Sequence, residues 1–187
     1  MKKYLKILAE RIPLPFYRTI IKRDLLGFYY HVVSNDHLPH IKYLYDYKSL
    51  KQFENDLIYL KKSFNLISYE NLEDFYYGMR KLGPRSVILT FDDGFSECYS
   101  VARPLLLKYE IPCVFFITTD YIDNKAMSAD LKASLCLEHI TSLNVKSHQT
   151  FINSVNSIFT KQFSTILEIK TWILNIKSIS PLIIDKP

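Results

Sequence analysis

The hydrophobic positions of this chain change period along its length. Leu25 to Val33 (LLGFYYHVV) is a continuous apolar and aromatic run, which predicts a buried strand. Residues 34–48, marked by Asn35-Asp36 and Pro39, read as a loop. From Ser49 to Phe64 the apolar residues fall at Leu50, Phe53, Leu57, Leu60 and Phe64, the spacing of one helical face, with Ser49 as N-cap. Leu66-Ile67 predicts a short strand. Ser68 then caps a helix carrying Leu72, Phe75 and Tyr76 that stops near Gly78, and Gly83-Pro84 marks a turn. Ser86 to Phe91 is a second buried strand. A helix over about 96–109 follows, which Pro104 either kinks or reopens. Val114 to Thr118 reads as another strand. Strand and helix thus alternate over 25–118, the signature of an α/β fold with a parallel sheet or (β/α) barrel.

Beyond residue 118 the pattern becomes helical. Gly94 is the last glycine, and no proline occurs between Pro112 and Pro181, whereas further βα units would use such residues at their turns. One helix is expected over about 127–141, with Leu131, Leu135 and Ile140 inward. A second is expected over about 151–177, with Ile152, Val155, Phe159, Phe163, Ile166, Ile173 and Ile176 as its packing stripe.

Composition adds limits. The 187 residues are 48% hydrophobic and 23% charged, which suits one ordinary globular domain rather than a disordered chain. The net charge of +5 is concentrated at the start. Lys2, Lys3, Lys6, Arg11, Arg18, Lys22 and Arg23 oppose only Glu10 and Asp24, so the remainder is neutral. No basic stripe crosses the rest, which argues against a nucleic-acid partner. Residues 1–24 read as a basic helix or arm. It is either simply solvated or in weak contact with an anionic membrane surface through Leu5, Leu8 and Ile12. Residues 4–9 are too short for a signal-peptide core, and no apolar run reaches the length of a membrane span. Cys98, Cys113 and Cys136 form neither a zinc pattern nor a disulfide framework. They are expected as buried, reduced thiols, in a cytoplasmic or membrane-peripheral protein.

The chemistry gathers at Asp92-Asp93-Gly94. Carboxylates at the C-terminal end of a buried strand in an α/β fold occupy the usual place for a reactive site. One can bind a divalent cation while the other takes a proton from water. Gly94 allows the tight turn behind them. An acidic doublet alone is equally a turn and a helix cap.

Thr90-Phe91-Asp92-Asp93-Gly94 resembles the T-F-D-D-G motif of the NodB-homology polysaccharide deacetylases, carbohydrate esterase family 4. Four further blocks agree in order. Tyr30-His31 ends a first barrel strand. Phe53, Leu57 and Leu60 resemble the first helix, with Ser68 to Leu72 as the next strand–helix join. Pro104-Leu105-Leu106 and Ile111-Pro112-Cys113-Val114-Phe115-Phe116 follow the motif. The resemblance covers about 25–123 and implies the N-terminal part of a NodB-type (β/α) barrel, with residues 124–187 as a helical tail. It implies metal-dependent removal of acetyl groups from a polysaccharide or oligosaccharide. Asp92 would be the general base, Asp93 a ligand of zinc or a similar ion, and His31 either a cleft residue or a buried histidine bonded to backbone.

The family's H-[ST]-x-x-H metal pair is absent. After Asp93 the only histidines are His139 and His148. One carboxylate falls short of the three protein ligands zinc normally takes. The chain is therefore expected to be a truncated, weakly active or inactive deacetylase relative, or a non-catalytic binding module on the same fold. Its open sheet would be covered by the helical tail, by a dimer partner or by a missing C-terminal half. A phosphoacceptor receiver domain fits poorly. Its acidic pair follows the first strand, and here strand and helix over 25–77 come first.

Overall fold

A computed structural model describes residues 25–175. The expected basic arm (1–24) and Ile176 lie outside the described residues. The chain is an α/β fold with a parallel sheet. The strands are β1 (Leu25–Tyr30), β2 (Asn65–Leu66), β3 (Ser86–Phe91) and β4 (Val114–Phe115). The helices are α1 (Leu50–Ser63), α2 (Tyr69–Tyr76), α3 (Arg103–Lys108), α4 (Ala129–Ser142), α5 (Val145–Phe159) and α6 (Ile166–Asn175). A π-helical turn over Cys98–Ala102 leads directly into α3. The chain divides into two compact units, residues 25–31 with 51–116, and residues 32–50 with 117–175.

In the first unit β3 is the shared strand. β1 pairs along its whole length, Leu25 with Ser86 through Tyr30 with Phe91. The other edge is divided between β2, at Ser86 and Val87, and β4, at Thr90 and Phe91, all parallel. Val87, Leu89 and Phe91 of β3 are fully buried, as are Phe53 and Leu57 of α1, with Leu60 nearly so. The tip of the sheet rests on aromatic rings. Phe91 stacks with Tyr30 at 5.4 Å and with Phe115 at 5.6 Å, while Phe53 meets Tyr30 at 5.1 Å and Phe91 at 5.6 Å edge-on. Such pairs add to the burial of their large apolar area. The Tyr30 hydroxyl donates to Asp56 at 2.9 Å, and burial raises its pKa far above the usual phenol value, with Asp56 adding to the shift.

In the second unit Ile140, Ile152, Val155 and Ile169 form the core. Phe151, Phe159, Phe163, Ile166, Trp172 and Ile173 pack against it. The loop before α1 is fastened to α4. The buried Ser134 Oγ donates to Pro39 O at 2.7 Å and accepts from Tyr43 N at 3.3 Å. Glu138 meets His37 at 2.9 Å and Lys42 at 3.0 Å; the Lys42 and His37 contacts hold its carboxyl down to about 2.

Several elements follow the sequence pattern. α1 has the expected span and buried face, and Ser68 caps α2 by accepting from Asn71 N. β3 runs over the expected residues, and Pro104 lies in the first turn of α3. Other elements differ. β1 stops at Tyr30, because the chain bends at His31. β4 ends at Phe115, because β3 turns away after Phe91 and offers no further ladder beyond the Phe116 N to Phe91 O bond. The single helix expected over 151–177 is two helices. Thr160 adopts a left-handed conformation (φ 52°) after α5, and the Asn156 side chain bonds both backbone groups of Phe163. Leu135 is exposed while Leu137 and Ile140 are buried. Cys98 is buried as expected, but Cys113 is only partly so and Cys136 is exposed.

One charge cluster ties α1 to the end of α3. Glu54 accepts from Lys108 Nζ at 2.7 Å and from the Tyr109 hydroxyl at 2.8 Å. These two bonds, the lysine's first, lower its carboxyl from 4.5 to about 2. A depressed folded-state value makes this contribution full above the ordinary carboxylate range and lost as pH falls toward 2. The urea midpoint is therefore expected to fall between about pH 5 and about pH 3, and Glu54→Gln to show a shallower fall over that window.

Candidate active site

The acidic doublet emerges at the C-terminal end of β3. Two backbone bonds fix that end. Asp92 N donates to Tyr30 O at 2.9 Å on one side, and Phe116 N donates to Phe91 O at 2.7 Å on the other. Immediately beyond, Gly94 N donates to Asp92 O at 2.9 Å, closing a three-residue turn around Asp93. Asp93 has φ 69° and Gly94 φ 74°. A turn of this kind with positive φ at its centre is rare and strained for a residue with a side chain. The strain sits on a carboxylate, and the turn separates the two acids. Asp92 is half-buried and continues the line of the strand, whereas Asp93 is exposed beyond it.

His31 follows β1 directly and stands beside the doublet. Its Nε2 lies 3.9 Å from Asp93 Oδ2, with side-chain exposures of 30% and 45%. The imidazole also meets the Tyr29 ring edge-on at 5.7 Å. The backbone behind His31 is held from the other side of the site. Cys98 Sγ, at the start of the π-helical turn, donates to His31 O at 3.5 Å. Burial pushes the Cys98 thiol up to about 11, with Glu97 and Asp93 adding to the shift, so it stays a neutral donor. π-helical turns are frequent at functional sites, where one extra residue redirects the following helix.

The structure thus brings His31 and Asp93 together, with Asp92 adjacent. It places His139 on α4 and His148 on α5, in the second unit. His148 Nε2 lies 3.3 Å from Leu143 O. Among the described residues no group of three or more His, Cys, Asp or Glu side chains could hold a metal ion. The Asp93–His31 pair supplies two donors, and a zinc site normally takes three or more from protein. The described donor set does not fit a bound zinc by itself. Sequence reasoning did not find the contact of Cys98 with His31 or the left-handed backbone of Asp93. Gly94 signalled a turn, but nothing in the sequence placed the strained residue one position earlier.

Comparison with known proteins agrees with the motif. The polysaccharide deacetylase family model matches residues 79–155, a stretch that includes β3, the doublet and the π-helical turn. This stretch is polysaccharide deacetylase-like. No curated protein matches the sequence. Among solved structures, a de-N-acetylase from Aggregatibacter actinomycetemcomitans is similar at 27% identity, over 53% of this chain and 39% of that one, with a TM-score of 0.46. The BpsB deacetylase domain from Bordetella bronchiseptica is similar at 37% identity, over 40% and 29%, with a TM-score of 0.35. IcaB from Ammonifex degensii is similar at 26% identity, over 62% and 49%, with a TM-score of 0.47. The chain spans less than half the length of each of these deacetylases. Among the described residues no helix is long and apolar enough to cross a membrane.

The strained turn has a measurable consequence. Glycine adopts positive φ without steric cost and alanine does not. Asp93→Gly is therefore expected to be more stable than Asp93→Ala by about 1 kcal/mol in urea denaturation, although both remove the same carboxylate.

Proposed function

We propose that this chain contains the N-terminal part of a NodB-type deacetylase (β/α) barrel over residues 25–123, preceded by a basic arm and followed by a helical segment. Its ancestral chemistry is hydrolysis of acetyl groups on a carbohydrate. Asp92 is the carboxylate that takes a proton from the attacking water. Asp93 is the carboxylate directed to a divalent cation, and His31 borders the same spot. The observation that carries this reading is the geometry of the doublet. Two consecutive acids leave the central parallel strand through a positive-φ turn, one half-buried and one exposed, with an imidazole 3.9 Å from the exposed one. General acid–base work needs a carboxylate within reach of water, held by a rigid strand end, and Asp92 meets both needs.

The described residues do not complete the site. With two donors at Asp93 and His31, a divalent ion would be held weakly. The chain alone is accordingly a poor or inactive deacetylase. Acetate release from an acetylated chitooligosaccharide, with zinc or cobalt added, is expected to stay at background. Robust turnover abolished by Asp92→Asn would refute this assignment of a deficient site.

The same shortage of donors favours a second reading, a binding module that has kept the fold without the reaction. The two readings part on metal affinity. Equilibrium dialysis that finds one zinc per chain, lost in Asp93→Ala, supports the enzyme-derived site. No stoichiometric zinc, together with retained binding of the oligosaccharide, supports the module.

A further inference from the structure

The opposite end of the sheet carries a second polar site. A cavity of about 300 Å3 opens beside the first residues of β2 and β3. Asn65, Asn71, Arg80, Lys81 and Gly83 line it, all within the first unit. The six residues of β3 separate it from the acidic doublet by ~17 Å, so the two sites do not overlap.

One wall of this cavity is rigid. Asn65 Nδ2 donates to Ser86 Oγ at 2.9 Å, and Ser86 Oγ, on a fully buried residue, donates to Gly83 O at 2.9 Å. Asn65 N donates to Arg85 O at 3.1 Å. A side chain at Gly83 would bring its Cβ within 3.2 Å of Asn65 Nδ2, a tight contact that the amide would have to relieve by a few tenths of an ångström. Asn71 joins the wall from the first turn of α2, where its backbone N–H is already taken by Ser68.

The charge at the cavity is one-sided. Arg80 and Lys81 are consecutive and exposed, and no acidic side chain lines the cavity. Among the described residues neither cation is in an ion pair. Adjacent like charges repel, and the asparagine amides supply donors without neutralising them. An oxyanion resolves both features. It takes the planar fork of an arginine, the point charge of a lysine and amide hydrogens on different oxygens. The volume lies at the lower end of the small-ligand range. We propose that this cavity binds a phosphoryl group, either as free phosphate or carried on a sugar.

The full chain should be titrated with inorganic phosphate, glucose 1-phosphate and glucose, following backbone amides by NMR at constant ionic strength set with sodium chloride. Saturable shifts confined to residues 65, 71 and 80–83 are expected with both phosphates and not with glucose. Equal affinity for the two identifies free phosphate as the ligand, and tighter binding of glucose 1-phosphate identifies the sugar-borne group. The double variant Arg80→Gln/Lys81→Gln should lose about tenfold or more in affinity with an unchanged unfolding midpoint, since both residues are exposed. Asp92→Asn should bind as the parent does. Shifts that follow ionic strength alone, shifts that map elsewhere, or undiminished binding by the double variant would overturn the proposal.

Discussion

The first unit depends on how the backbone of β3 is shared. One edge is taken by β1 along all six residues, and the other is divided between β2 at the start and β4 at the tip. No polar group of a buried strand can be left without a partner at low cost. The two bonds at the tip, from Asp92 N to Tyr30 O and from Phe116 N to Phe91 O, therefore fix where the ladder ends. That ending decides which residue is the last buried one, Phe91, and which is the first beyond the ladder, the half-buried Asp92. The aromatic cluster of Tyr30, Phe53, Phe91 and Phe115 reinforces the same point from beneath. The position of residues 92–93 is thus set by backbone pairing at the strand end rather than by either carboxylate.

The parts of this arrangement that were legible in the sequence are those where one physical signal dominates. An uninterrupted apolar run bounded by polar residues gave β3 its residues, and strict three-and-four spacing gave α1 its buried face. Ser68 identified its helix because a hydroxyl at that position satisfies an otherwise unpaired N–H. The signal failed where tertiary pairing decides. Val32 and Val33 look like a continuation of β1, yet the bend at His31 puts them in the second unit, where Val33 bridges to Lys48. Thr160 breaks a helical stripe without the glycine or proline that would announce it.

The site was legible in part for the same reason. Two acids before a glycine stand out in any reading, and the resemblance to the polysaccharide deacetylases is carried largely by them. The resemblance offered His31 as a cleft residue, but its contacts were not readable, because they arise from a parallel pairing between distant segments and from a thiol on the π-helical turn. A helix with one residue too many cannot be told from a regular one by periodicity over so few positions.

The pairing of β1 with β3 also bears on how the molecule is assembled. Partners in this ladder are separated by about sixty residues of chain, a long loop to close before any reward is gained. During synthesis the apolar segment Leu25–Tyr30 leaves the ribosome well before its central neighbour exists. It must wait with its backbone bonded to water alone, and the arrival of β3 is the event that gives it a place.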